Sequence, residues 1–352
     1  MILLPTYKDK NKGTYYCSFY YTDWTGGKKK KKKEGFKKES EAKAFERDFL
    51  TKHQNNCDMP FKAFIELYLE DAATRVRSTT LDNKKYVINL KITPYFGKMK
   101  VNEITPNHIR KWQNDLIKQD YSKTYLKSIN NQLSAIFNFA IRYYNLSSSP
   151  ALKAGSMGKS NADSMKFWTL KEFKRFIEFN DKPVSNLAFK ILFWTGIRSG
   201  ELMALTFKDI NLKDKTININ KTYTRLNKQD IINEPKTPKS KRVISISDSL
   251  CKDIEEYKSK LYDYKENDRI FNFTKFFLTH EMIRVCKKSE VKQIRIHDLR
   301  HSHASLLIEL GFTPLLISER LGHEKIQTTL NTYSHLYPNK GNIIANKLDD
   351  LY

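Results

Sequence analysis

The chain has 352 residues, 39% hydrophobic and 12% aromatic, a globular composition with room for two or three domains that each bury a core. Lysine and arginine outnumber acids 63 to 39, a formal charge of +24, with 14 basic to 7 acidic side chains over residues 1–57, 16 to 9 over 58–164 and 33 to 23 beyond. That spread excludes a single basic tail and favours a polyanion met along the whole chain, because neutralised phosphates release condensed counterions.

The opening MILLPTYKDKNK lacks the apolar stretch of a signal peptide. No run reaches the ~20 apolar residues of a membrane span, so a cytoplasmic protein without membrane contact is expected. Cys17, Cys57, Cys251 and Cys286 form no CxxC pair and suggest neither a disulfide framework nor a cysteine zinc site. Residues 14–21, TYYCSFYY, are aromatic and β-prone, and Asp23-Trp24-Thr25-Gly26-Gly27 reads as a turn. Lys28 to Lys33 follow as six consecutive lysines. They suit a solvated hairpin tip or, beside aromatics, a strand face laid in a DNA groove. Ser40 then precedes a helical pattern carrying Ala44, Phe45 and Leu50, so residues 1–57 are predicted to form a small sheet plus a helix.

From Met59 the texture is helical. FKAFIELYLEDAA, TTLDNKKYVINLKITPYFG, TPNHIRKWQNDLIKQ and KTYLKSINNQLSAIFNFAIRYY place apolar residues at three- and four-residue steps, a four-helix bundle over 58–150. Thr105-Pro106 and Ser122 read as helix starts and Gly97 as a stop. Lys84, Lys85, Lys123 and Lys127 lie between the apolar stripes, where phosphates could be met. Residues 147–164, SSSPALKAGSMGKSNADS, have linker composition, and a joint over 151–166 would let two basic domains close around a duplex. A larger mixed domain is expected over 167–352, with helices at 170–179 and 185–193. Strands at 215–221 and 242–246 follow, joined by a polar connection containing proline. The fold class is therefore multidomain and mainly α with small β elements, ending in a mixed α+β domain.

That last domain holds the chemistry. Thr195-Gly196-Ile197-Arg198-Ser199-Gly200-Glu201-Leu202 is a tight turn opening a helix, and it presents one arginine from a rigid position. His297-Asp298-Leu299-Arg300-His301 sets His297 and Arg300 three apart, on one side of a helix. Leu321-Gly322-His323 puts a histidine after a glycine turn, and Tyr333 follows ten residues later. Breaking and rejoining a phosphodiester calls for these residue types. Arginine forks hold the non-bridging oxygens as charge builds on phosphorus. A tyrosine hydroxyl, of ordinary pKa about 10, attacks when that charge is stabilised and an acceptor is near. Lysine or histidine protonates the leaving 5′-oxygen. The phosphotyrosine conserves the bond energy, so rejoining needs neither ATP nor a metal, and no cofactor is expected.

TGIRSGEL, HDLRHSHAS and LGHEKIQTTLNTYSHL resemble, in order, the signature boxes of the tyrosine recombinase family, of the phage and conjugative-element integrase type. The resemblance runs from residue 167 to Tyr337, roughly half the chain. Residues 58–150 resemble the family's helical core-binding domain, and 1–57 its arm-binding module. It implies that Arg198 and Arg300 grip the scissile phosphate and that Tyr333 forms a 3′-phosphotyrosine. His297 would transfer a proton or position the phosphate, and His323 would hydrogen-bond a non-bridging oxygen. Lys236 stands where the family keeps the lysine that protonates the 5′-oxygen, with Lys239 and Lys241 as close competitors. Glu201 and Asp298 would orient Arg198 and His297. The implied partner is attachment-site DNA of a mobile element, bound by four subunits with accessory bending or excision factors.

Rival readings have their own signals. His297 and His301 stand at a zinc spacing, but there is no HExxH and the catalytic reading needs His297 alone. Tyr337 lies four residues past the family position. Arg295, Arg320 and His335 read as DNA-backbone or structural residues, and His301 and His303 as packing or hydrogen-bonding residues. A type IB topoisomerase would relax DNA lacking any recombination site. A non-catalytic DNA-binding regulator would form no covalent adduct. After Pro338, NIIANKLDDLY has the pattern of a short amphipathic helix, expected to dock on a neighbouring protomer.

Overall fold

The computed structural model describes residues 6–9, 12–22, 27–54, 57–160, 165–226, 229–235 and 237–336. The chain divides into two units, Met1–Asp163 and Ser164–Tyr352. The first opens with a three-stranded antiparallel sheet, β1 (Thr6–Lys8), β2 (Tyr15–Thr22) and β3 (Lys28–Phe36). Helix α1 (Glu39–Gln54) covers one face, packing Ala42, Phe45 and Phe49 on Cys17 and Phe19. The lysine run is not a hairpin tip. It is the body of β3, with Lys33 opposite Cys17 and Lys28 opposite Thr22. Aromatic rings hold it there: the ammonium groups of Lys30, Lys32 and Lys33 lie 5.7, 4.9 and 4.3 Å from the ring centres of Tyr20, Tyr16 and Phe45. These distances are within cation–π range, and the lysine stems add apolar cover. The turn read at 23–26 lies outside the described residues.

Helices follow: α2 (Phe61–Arg75), α3 (Ser78–Val87), α4 (Thr93–Phe96), α5 (Pro106–Ile117), α6 (Lys123–Tyr144) and α7 (Pro150–Ala154). A π-helical stretch, Ile88–Ile92, carries α3 into α4. Gly97 is the residue that ends α4. Thr105 and Ser122 cap α5 and α6 as their types predict, accepting from the backbone N–H of His108 and Tyr125 at 3.3 and 3.2 Å. Phe61, Phe64, Phe96, Trp112 and Phe137 fill the bundle core.

The joint expected over 151–166 needs correcting. Ser149 caps α7, and Ala151 and Met157 are buried in the bundle core. The buried Gln113 amide donates to the Gly155 carbonyl at 2.9 Å. Small side chains, read from composition as a linker, here let the backbone pack closely. Residues 161–164 lie outside the described residues.

The second unit begins with α8 (Leu170–Glu178), α9 (Pro183–Thr195) and α10 (Ser199–Ala204). Strands β4 (Ile210–Asn211) and β5 (Thr216–Ile219) pair antiparallel, then β6 (Thr222–Leu226) and β7 (Gln229–Asn233) form a separate antiparallel hairpin. β8 (Arg242–Ser245) returns to β5 with Ile244 opposite Ile217. The β6–β7 hairpin lies within what the sequence suggested was a polar connection containing proline. Helices α11 (Asp248–Ser259), α12 (Lys275–Ser289), α13 (Asp298–Glu309), α14 (Pro314–Leu321) and α15 (Ile326–Tyr333) complete the unit. Trp168, Phe173, Phe176, Phe189 and Phe193 dominate the core, with Phe173 and Phe193 stacked at 3.7 Å. Ala304 and Ile308 of α13 pack on Ile317, Leu321 and Tyr333, which brings the last three helices together beneath the turn after α9.

Candidate active site

The first arginine is fixed by a turn and a buried carboxylate. α9 ends at Gly196, whose φ of 68° is left-handed, and a Cβ there would lie 2.6 Å from the His303 ring. Arg198 then caps α10: its N–H donates to Glu201 Oε2 at 2.9 Å and its guanidinium to Oε1 at 2.7 Å. Glu201 is only 3% exposed and also receives Arg242 from β8, at 3.0 Å on Oε2 and 3.3 Å on Oε1. Burial works to raise the Glu201 pKa, but Arg242 and then Arg198 outweigh it, so the carboxylate titrates below its usual value. Glu201 thus orients Arg198, as expected. Arg242, 41 residues away, was not foreseen.

The second arginine is a staple. Arg300, 3% exposed on α13, donates to the Gly196 carbonyl at 2.8 Å and the Leu321 carbonyl at 2.6 Å. One guanidinium therefore ties the turn ahead of Arg198 to the turn ahead of His323. Guanidinium has five N–H donors, so three remain for a ligand. Burial first, then Arg198, pushes its pKa down to about 9, which still leaves it cationic at neutral pH. Asp298 does not hold His297. It accepts the Arg295 N–H at 2.9 Å and the Arg295 fork at 2.8 to 3.1 Å, locking the start of α13.

The histidines divide by partner. His297 flanks the start of α13 as an exposed residue, yet partial loss of hydration, then His301 and Arg300, pushes its pKa down to about 4. His323 Nδ1 lies 2.7 Å from Thr329 Oγ1. If it accepts that hydroxyl proton, Nε2–H is left to donate. Burial first, then Arg300 and Arg198, lowers its pKa to about 3, so it is neutral at pH 7. Buried His303 accepts from Arg320 Nε at 3.0 Å, and Arg320 also donates to the Ser245 and Trp194 carbonyls, so Arg320 serves the fold.

Tyr333 ends α15 and is 1% exposed. Its hydroxyl lies 2.8 Å from His301 Nδ1, and burial raises its pKa to about 12 against the opposing pull of Arg300. Sequence reasoning read His301 as a packing or hydrogen-bonding residue and left its partner open. The signal available was its place one turn after His297, and the two rings meet edge to face at 5.3 Å. Lys236 and Tyr337 lie outside the described residues. Lys241 pairs with Glu234 at 3.1 Å, and exposed Lys239 lines one groove with His323. A Cβ on Gly322 would lie 3.0 Å from the Lys239 carbonyl oxygen, so the lysine loop runs beside the His323 turn.

Two anchored arginines, neutral imidazoles and a sheltered hydroxyl can hold a phosphodiester and attack it. Among the described residues no three His, Cys, Asp or Glu side chains gather as metal ligands, and no helix is long and apolar enough to cross a membrane.

Comparison with known proteins agrees with this chemistry. Residues 166–340 match the phage integrase family, 60–117 the phage integrase N-terminal SAM-like domain, and 5–53 an Arm DNA-binding domain. The chain is 34% identical over 306 residues to the ICEBs1 integrase of Bacillus subtilis strain 168, covering 83% of each. Its fold is similar to the Tn1549 transposon integrase solved with circular intermediate DNA, with TM-score 0.69 and 19% identity over 84% of this chain and 100% of that one. It is also similar to a lambda integrase dimer bound to a COC′ core site, with TM-score 0.62 and 19% identity over 97% of both chains.

Proposed function

The chain belongs to the phage integrase family; it is a site-specific tyrosine recombinase of mobile elements that breaks and rejoins DNA, and we propose Tyr333 as its nucleophile. The observation that supports this most is Arg300, which bonds the carbonyls of Gly196 and Leu321 and so gathers three separated sequence boxes around one guanidinium. In this reading Arg198 and Arg300 take the non-bridging oxygens of the scissile phosphate. The Tyr333 oxygen then bonds phosphorus as the 5′-oxygen leaves, giving a 3′-phosphotyrosine. His323 donates to a non-bridging oxygen, and His297 transfers a proton or positions the phosphate. Lys236 protonates the 5′-oxygen, with Lys239 and Lys241 on the same loop as alternatives. Tyr333 is buried in this conformation, so attack requires its hydroxyl to be uncovered toward the phosphate.

Residues 1–57 serve as the arm-binding module, 58–150 as the core-binding bundle and 167–352 as the catalytic domain. Four copies assemble on two attachment-site duplexes in the cytoplasm, helped by DNA-bending or excision factors. The tail after Pro338, outside the described residues, docks on a neighbouring copy. Removing it should weaken synapsis more than single-site binding, and equal losses in gel shifts would count against the docking.

The deciding experiment uses a nicked duplex from the boundary between element and host DNA, trapping the covalent adduct and mapping it by peptide sequencing. The adduct should sit on Tyr333, vanish in Tyr333→Phe and survive chelators. An adduct formed by Tyr333→Phe would refute the nucleophile.

A further inference from the structure

We propose that His301 is a further catalytic residue: its Nδ1 takes the proton of the Tyr333 hydroxyl as that oxygen attacks phosphorus, and returns it when the strand is rejoined. The inference rests on the reading of Tyr333 as nucleophile. Its basis is contact with the reacting atom. Nδ1 is 2.8 Å from the tyrosyl oxygen although the residues are 32 apart in sequence. Packing supports the pair. Ala304 and Ile308, three and seven residues after His301 and so on its side of α13, share one buried cluster with Tyr333.

The rival bases are engaged elsewhere. His323 Nδ1 meets Thr329, and His303 Nε2 accepts from Arg320. Glu201 is bound by Arg198 and Arg242, and Asp298 by Arg295. His297 meets the His301 ring edge to face. The groups that face His301 are His297, Asp298, Arg295 and Arg300 around the start of α13, His323 beyond α14, and Tyr333 on α15. Loss of hydration lowers the His301 pKa, against Asp298 and with Arg300, which favours the neutral ring, and its tautomer protonated on Nε2 presents Nδ1 to Tyr333 as an acceptor.

The step balances. The bond from the Tyr333 oxygen to phosphorus forms and the bond from phosphorus to the 5′-oxygen breaks. The tyrosyl proton passes to Nδ1, and the 5′-oxygen takes its proton from the lysine loop. In rejoining, the imidazolium returns its proton to the departing tyrosyl oxygen.

His301→Asn tests this, because its amide keeps an acceptor where Nδ1 stands and cannot carry a proton. Wild type, His301→Asn and Tyr333→Phe are compared on the nicked boundary duplex, measuring single-turnover adduct formation across the histidine titration range. His301→Asn should lose about 10²-fold or more, the usual worth of a general base, and should lack the wild-type fall in rate at acid pH. Its gel-shift affinity and melting temperature should match wild type, with His301→Gln as the substitute if the asparagine variant does not fold. The defect should persist on a 5′-bridging phosphorothiolate, whose sulfur leaves without a proton. Rescue on that substrate would assign His301 to the leaving group and overturn the proposal. So would a His301→Asn rate and profile equal to wild type, which mean positioning alone, or a faster rate, which means a latch. An adduct in Tyr333→Phe would instead sink the nucleophile reading beneath it.

Discussion

Positive charge is held in two ways in this chain. On β3 the lysines are exposed, spread along a strand and steadied by tyrosine and phenylalanine rings. Around Glu201 the arginines Arg242 and Arg300 are buried and spend donors on carbonyl oxygens. The strand suits a continuous line of phosphates and loses grip as salt rises. The buried cluster suits one phosphate at one place, because its donors need no reorganisation when charge develops. In the reading proposed above, affinity and chemistry fall to separate kinds of cation, and substitutions should separate them.

The largest effect is expected at Arg300. Arg300→Lys keeps a charge but cannot bridge Gly196 and Leu321, so adduct formation should fall about 10³-fold, as when a fixed transition-state donor is removed. A loss of less than about tenfold, or 1.4 kcal/mol, would deny it that place. Next comes Glu201→Ala, which strands the buried Arg242 guanidinium. Urea unfolding should show about 3–5 kcal/mol less stability, and a Glu201→Leu with Arg242→Leu pair should recover part of it.

Acid should act more gradually. The folded pKa of His303 is pushed from 6.5 down to about 3 by burial and then Arg320. The unfolded chain thus binds the proton first, and this stability is full above 6.5 and lost as pH falls below it. Each pH unit below that point should cost about 1.4 kcal/mol per such histidine. Glu201, depressed in the fold, adds a loss at lower pH still. Melting curves through that range would show it, and a flat profile would contradict the buried neutral imidazole. The smallest effect on folding is expected on β3. Lys30→Ala with Lys32→Ala should change stability by no more than about 0.5 kcal/mol. The slope of log affinity against log salt should still fall by about 0.9 for each phosphate the strand no longer neutralises, and an unchanged slope would remove the strand from the DNA interface.

Sequence carried the local features well. Thr105 and Ser122 act through the chain's next few residues, so their capping was readable, and so was the apolar stepping of α8 and α9. The order of the boxes with Arg198, His297, Arg300, His323 and Tyr333 was readable too. Distant pairings were not. Arg242 reaches Glu201 from a strand 41 residues on, and His301 meets Tyr333 through the packing of α13 on α15. The β6–β7 hairpin was missed because its residues are mostly polar and few are buried, which weakens the strand signal. β3 was left open between a hairpin tip and a strand face because lysine is a poor strand former, and the neighbouring rings that steady it are brought in by the fold.

A homopolymer has no spelling. Shifting a strand by one residue normally exchanges its two faces, yet between Lys28 and Lys33 the exchange replaces lysine with lysine. Only the end of β3 can tell one alignment from another, where Phe36 stands opposite Tyr15 beside the register shift between Tyr15 and Cys17. One lysine gained or lost should therefore alter the reach of the hairpin while leaving its chemistry as it was, so this strand can vary in length where the arginine cluster cannot vary at all.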